Sequence, residues 1–173
     1  MSDAKISIRT QNYTTDLKVI CAINKAAFAD HGNTSAFDKF RAERKDIISL
    51  VAHVNGEAVG HILFSPASMA TPTGPVNGMG LGQLAVMPGW QKKGIGTHLA
   101  ETGITQLREQ NCPFIIVIGH ASYYPRFGFE QGQLHDVKCQ WDSVPDESFM
   151  VLYPDQDQVR QGKLNGVASF DGL

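Results

Sequence analysis

The 173-residue chain is poor in cysteine, with only Cys21, Cys112 and Cys139. An odd number of widely spaced thiols matches neither a disulfide framework nor a zinc-ligand pattern, so buried free thiols are expected. The chain also lacks a charge excess: 15 Lys and Arg stand against 17 Asp and Glu, a formal net charge of −2. That balance excludes a broad electrostatic attraction to nucleic acid or anionic membrane, and any basic site must be local. No apolar run approaches the ~20 residues that a membrane-spanning helix needs. The first residues, MSDAKISIRT, lack the apolar stretch of a secretory signal, which makes the cytoplasm the expected location. His53, His98 and His135 have no carboxylate or cysteine at ligand spacing, so no metal is expected.

What remains is the composition of an ordinary globular protein, 42% hydrophobic and 18% charged. The length suits one domain, residues 1–173, with a sizeable core. KISIRT alternates as a strand, and TTDLKVICAINKAAFAD has helical spacing, with Leu17, Ile20, Ile23 and Phe28 near one face and Thr14, Thr15 or Asp16 as the cap. AFDKFRAERKDI reads as a second, charged helix. ISLVAHV and EAVGHILFSP flank Asn55-Gly56, the pattern of a tight hairpin. MATPTGPVNG reads as a polar loop, MGLGQLAVM as a strand, and PFIIVIG as a strand covered on both faces. HASYYPRFGFEQG is an irregular or helical connection to another strand, and the tail holds one more strand with a turn-rich close. The order β-α-α-β-β-β-α-β-α-β-β defines a mixed α/β (α+β) class.

The most informative stretch is WQKKGIGTHLAETG, where a helix begins inside glycines directly after the strand-like LGQLAVMPG. First-turn amides of a helix lack partners and the dipole there favours negative charge. Gly94 and Gly96 bare that tip, and Gln91, Lys92 and Lys93 add donors and charge around it. The spacing is not that of a P-loop, and Leu99 stands where a dinucleotide fingerprint would have its third glycine. By itself the stretch is read equally well as a phosphate cradle or as a glycine-rich turn with exposed lysines.

In context, Gln91-Lys92-Lys93-Gly94-Ile95-Gly96 after LAV resembles the acetyl-CoA-binding motif Gln/Arg-x-x-Gly-x-Gly/Ala of the general-control-related N-acetyltransferase (GNAT) superfamily. YYPRFGF is similar to that family's later tyrosine segment, with Tyr124, Gly128 and Phe129 at its spacing. Weaker similarity runs along nearly the whole chain and looks like the YhbS-like branch of N-acetyltransferases.

The resemblance implies a mixed, mostly antiparallel sheet flanked by helices, and acetyl transfer from acetyl-CoA to an amine by direct attack. It implies that the backbone of Leu84, Ala85 and Val86 faces the pantetheine arm and the thioester carbonyl. Gln91, Lys92, Lys93, Gly94, Ile95, Gly96 and Thr97 would hold the pyrophosphate, chiefly through amides. Tyr124 would serve the departing thiolate as general acid, with Tyr123 a competitor, and Arg126 would cap its turn or touch the cofactor. The family's glutamate base is missing: its register falls on Gly82, beside Gln83. His120 becomes the candidate base, ahead of His61 and Glu57, with water or a neutral amine as alternatives. The acceptor is expected against residues 28–46, a segment of mixed charge. The resemblance admits a homodimer, and it leaves a non-catalytic acyl-CoA-binding module, or a transferase with another acyl donor, as the rival reading.

Overall fold

A computed structural model describes residues 5–29, 42–155 and 164–171. The chain divides into two compact units, Met1–Phe64 with Gln83–Gly103, and Ser65–Gly82 with Ile104–Leu173. Nine strands lie in the described residues, mostly antiparallel. Residues 36–41 of the second helix read at 36–47 lie outside them, and of 42–47 only 42 and 43 are helical.

The first unit starts with β1 (Ile6–Thr10) and helix α1 (Leu17–Ala27). It continues with β2 (Ile48–Val54), the first part of β3 (Glu57–Thr71), the end of β4 (Gly74–Val86) and the start of helix α2 (Ile95–Glu109). β1 runs antiparallel to β2 from Ile6↔Val54 to Thr10↔Leu50, and β2 antiparallel to β3 from Ile48↔Phe64 to Val54↔Glu57. The hairpin turn has Asn55 at φ 52° and Gly56 at φ 87°, two successive positive angles that match strand twist and favour Asn-Gly. Helix α1 buries Ile20 and Ile23 completely or nearly so, as its spacing foretold.

Helix α2 seats on β3 through two glycines. A Cβ on Gly60 would come within 3.0 Å of Ile95 Cγ2 and Leu99 Cδ1, and one on Gly103 within 2.2 Å of Phe64 Cε2. Strand and helix therefore each give up a side chain where the other supplies one.

A polar chain lies inside the same unit. Ser49 Oγ donates to Gln11 Oε1 at 2.5 Å and is 2.9 Å from His61 Nε2, while Asn24 Nδ2 lies 3.2 Å from His61 Nδ1 and donates to the Ile20 carbonyl at 3.0 Å. His61 is wholly buried, with a polar partner at each ring nitrogen.

The second unit packs around Phe114, Ile116, Phe149, Val151 and Phe170, with Ala67, Met69, Val137 and Ala168. β5 (Ile115–Ile118) runs parallel to β4 from Met79↔Ile115 to Leu81↔Val117 and antiparallel to β8 (Phe149–Leu152). β9 (Gly166–Phe170) pairs antiparallel with β3 at Ala67–Ala70 and parallel with the short β7 (Val137–Cys139). β6 (Glu130–Gln131) joins β8.

Three sequence expectations need correction here. MATPTGPVNG is not a loop: β3 runs to Thr71 and β4 begins at Gly74, around a tight turn in which Thr71 Oγ1 donates to the Gly74 carbonyl at 2.6 Å. Gly78 of this stretch and Gly80 just after it serve packing. A Cβ on Gly78 would lie 2.7 Å from the Phe114 ring, and one on Gly80 2.3 Å from that of Phe170. The part of the chain after YYPRFGF holds two short strands, β6 and β7, where one was expected, and residues after position 148 form two strands, not one. Of the three thiols, all free, only Cys112 is buried, donating to the Phe114 carbonyl at 3.1 Å; burial raises its pKa.

Asp16 occupies the N-cap position of α1, but its carboxylate turns elsewhere. It takes hydrogen bonds from Arg9 at 2.5 and 3.0 Å and from the Asn12 amide at 2.7 Å. The Arg9 guanidinium, ahead of the opposing effect of burial, lowers its pKa from 3.8 to about 2. A depressed carboxylate stabilises the fold above its unfolded pKa and loses that contribution as pH falls through its folded one. With Arg9 48% exposed, screening leaves about 1–2 kcal/mol. Arg9→Ala should therefore lower urea stability at pH 7 by that order, and the gap between variant and wild type should close between pH 4 and 2. A gap that persists at pH 2 would show that packing, not the ion pair, is responsible.

Candidate active site

β4 runs five residues beyond Leu81↔Val117, its last pairing with β5. On the β3 side, the Met87 amide donates to the Val59 carbonyl at 2.8 Å. Because backbone groups alternate along an extended strand, those of Leu84 and Val86 then point to the opposite edge. Ala85 is buried at 1% exposure, while Leu84 and Val86 are half-buried, so the latter two are not simple core residues.

The Pro88–Trp90 single turn follows, and Gln91 folds back so that Nε2 donates to the Val86 carbonyl at 3.1 Å. Lys92 has φ 60° and Gly94 φ 80°. The second angle selects glycine; the first is a left-handed lysine, a conformation that non-glycine residues adopt at a cost of about 1 kcal/mol. The Gly94 carbonyl accepts from the His98 amide at 3.0 Å, which makes Gly94 the hinge into α2. Helix geometry leaves the amides of Ile95, Gly96 and Thr97 without intrahelical partners. No acidic residue stands in that first turn, so the positive end of the helix is not neutralised locally. Residues 91–94 are exposed, Ile95 anchors the turn in the core, and Gly96 and Thr97 are half-buried. Lys93 lays its ammonium 4.7 Å from the centre of the Trp90 ring, while Lys92 is exposed. In this way the strand edge and all seven cradle residues read from the sequence are contiguous in the first unit.

Tyr124 and His120 lie in the second unit. Beyond β5 the chain turns so that the His120 carbonyl accepts the amides of Tyr123 at 3.0 Å and Tyr124 at 3.5 Å, and a short 3-10 helix spans Tyr124–Phe127. Gly128 ends it at φ 95°, with its amide on the Pro125 carbonyl. The Tyr124 ring is boxed edge-on by Tyr123 at 5.2 Å and Phe129 at 5.8 Å, and rests on Gly119, where a Cβ would come within 2.3 Å of Cε2. Burial, with a smaller contribution from Tyr123, pushes its pKa from 10.0 to about 12, so it is a neutral phenol throughout the physiological range. Arg126 donates to the Tyr123 carbonyl at 2.8 Å and stacks 4.2 Å from that ring. It therefore braces the turn, and it commits Tyr123 rather than Tyr124. His120 is exposed, and its hydrogen bonds in the turn are made by its backbone.

The remaining candidate bases fare differently. His61 is sealed within the core by Gln11, Asn24 and Ser49, so it has no route to a substrate proton. Glu57 is exposed at the hairpin turn. Gln83 is buried at 4% exposure beside the half-buried Gly82. Residues 30–41 of the expected acceptor segment lie outside the described residues. Among the described residues no group of three or more His, Cys, Asp or Glu is placed to hold a metal ion, and no helix is long and apolar enough to cross a membrane. Gly60, Gly103 and Gly119 escaped the sequence reading, since nothing local marks a glycine whose missing Cβ makes room for a distant ring or helix.

Residues 7–132 match the acetyltransferase (GNAT) domain profile, and the chain belongs to that family. Among individual proteins, it is 46% identical over 87 residues to YjhQ of Escherichia coli K12, described as an uncharacterized N-acetyltransferase, a match covering 48% of this chain and 46% of YjhQ. It is 26% identical to YhbS of the same organism, also described as an uncharacterized N-acetyltransferase, over 90% of this chain and 89% of that one. A crystal structure of E. coli YhbS in complex with CoA shares the fold, with a TM-score of 0.85 at 23% identity, covering 98% of this chain and 92% of the other. A GNAT family acetyltransferase of Brucella melitensis, crystallised with acetyl-CoA, is 26% identical with a TM-score of 0.76, covering 98% of both chains.

Gly94→Val puts a β-branched side chain at φ 80°, with Cβ 3.9 Å from the His98 ring. It should cost about 1–2 kcal/mol in urea unfolding and loosen the helix tip, which hydrogen exchange at the Ile95–His98 amides would register. Unchanged stability and exchange would mean that the turn tolerates a side chain there.

Proposed function

We propose that the protein transfers an acetyl group from acetyl-CoA to an amine. The observation that carries this reading is the junction of β4 and α2: a strand edge with no strand partner among the described residues leads directly into a glycine-hinged helix tip. The edge at Leu84 and Val86 offers donors and acceptors to the two amides of a pantetheine arm, as an added strand would. The tip offers the Ile95, Gly96 and Thr97 amides to a pyrophosphate, with Lys92 adjacent and Lys93 and Gln91 bracing the turn. A backbone N–H of the same edge can stabilise the thioester oxygen as charge develops on it, a contribution of about 3 kcal/mol for one aligned donor.

In the proposed reaction the neutral amine attacks the thioester carbon, the C–S bond breaks, and coenzyme A leaves as a thiolate. The proton lost by nitrogen balances the thiolate. Tyr124 faces that sulfur in this reading, and its chemistry narrows the role. A phenol with pKa about 12 is some three units less acidic than a thiol near 8.5. Complete proton transfer from it would be uphill by about 4–5 kcal/mol. Tyr124 therefore acts as a hydrogen-bond donor to the developing thiolate rather than as its final proton source. With the family's glutamate replaced at Gly82 and His120 exposed, the amine loses its proton to His120 or to solvent before attack.

Tyr124→Phe should lower kcat about ten- to a hundredfold with nearly unchanged CoA affinity by calorimetry. In wild type, kcat/KM against pH should rise with deprotonation of the amine and show no fall from Tyr124 below about pH 10, its folded pKa being about 12. Gly119→Ala, which drives a methyl into the Tyr124 ring, should reproduce the kcat loss. Full turnover in both variants would remove Tyr124 from the chemistry, whereas CoA binding without turnover of any amine would favour an acyl-CoA-binding module.

A further inference from the structure

A cavity of about 430 Å³ opens in the second unit, lined by none of the residues assigned to acyl transfer. Its floor is apolar: Phe149 is 3% exposed and Val144 half-buried. One wall is Trp141, 37% exposed, whose indole stacks on Phe170 with ring planes 11° apart and centres separated by 5.9 Å. Asp136, Asp142 and Asp146 also line the space. Lys138 is the sole cation among its lining residues, so the carboxylates outweigh it.

Several features narrow what such a cavity takes. None of the three aspartates has an ion-pair or side-chain hydrogen-bond partner among the described residues, so their charge is uncommitted. They are also too dispersed to close on one metal ion. Their backbone is tied down nonetheless. The Asp136 carbonyl accepts the Gly166 amide at 3.1 Å, the Trp141 carbonyl the Val144 amide at 3.2 Å, and the Pro145 carbonyl the Ser148 amide at 2.9 Å. Dispersed negative charge around an apolar floor and an aromatic wall suits a ligand that is cationic at one end and apolar along its body. We propose that this cavity binds an organic ammonium ion, its body on Phe149 and Val144, its charge shared by Trp141 and the aspartates. The site is independent of the acyl-transfer reading and stands or falls without coenzyme A.

Three probes of one size separate the contributions: phenethylammonium, 2-phenylethanol and 3-phenylpropionate. Titrated into the full chain at low salt without coenzyme A, phenethylammonium should bind with one-to-one stoichiometry by calorimetry. In a Trp90→Phe background it should also change the fluorescence of Trp141. The alcohol should bind roughly tenfold more weakly and the carboxylate not measurably. Asp142→Asn combined with Asp146→Asn should reduce ammonium affinity roughly tenfold and leave that of the alcohol unchanged, and Trp141→Leu should weaken both. Trp141, Asp142 and Asp146 are exposed, so circular dichroism should be unaltered by their substitution. Absence of saturable binding, equal affinity for the three probes, or an ammonium affinity indifferent to the double aspartate variant would each overturn the proposal.

Discussion

The closeness of helix α2 to strand β3 is the constraint on which the β4–α2 junction depends. Gly60 admits Ile95 and Leu99, and Gly103 admits the Phe64 ring. Ile95 and Leu99 are 2% and 0% exposed, and Phe64 is 0%. These contacts fix the helix at its first turn and again two turns later, and dense packing makes such a seat intolerant of an added methyl. The helix tip is therefore held by its apolar underside while its upper side, Gly94 to Thr97, stays open. Because the side chains hold the element, the backbone amides are left for a ligand.

A similar division of labour governs Tyr124. Its ring is fixed by Gly119, Tyr123 and Phe129, and the turn that carries it is hung from the His120 carbonyl and closed by Gly128. The burial that positions the phenol also makes it a poorer acid, raising its pKa to about 12. Placement and acidity thus pull against each other, and a group so placed is better suited to donating a hydrogen bond than to surrendering its proton.

The polar chain through Gln11, Ser49, His61 and Asn24 shows the opposite use of a titratable residue. Each ring nitrogen of His61 has a polar partner, Ser49 Oγ on one side and Asn24 Nδ2 on the other. This histidine joins α1, β2 and β3 and is withdrawn from acid–base chemistry, although its residue type alone made it a candidate.

What the sequence determined by itself was whatever depends on neighbours along the chain. Asn55-Gly56 specified a hairpin turn because two successive positive φ angles are a local demand. Residues 84–97 specified strand, glycine tip and helix because the proline, the glycines and the apolar spacing that mark each element follow one another along the chain. The family followed from those motifs in order, and the mostly antiparallel sheet with it. The tertiary structure decided what depends on partners remote in sequence. Gly78 looked like a loop residue until the ring of Phe114 was seen to lie on it, and nothing local showed that Gly80, read in a strand, makes room for Phe170. Tyr123 and Tyr124 differ in what holds them, Arg126 engaging the first and Gly119 receiving the ring of the second. His61 was removed from the candidate bases only by its burial. Backbone conformation is a short-range property, whereas burial, tautomer and acidity are set by whatever the folded chain brings alongside.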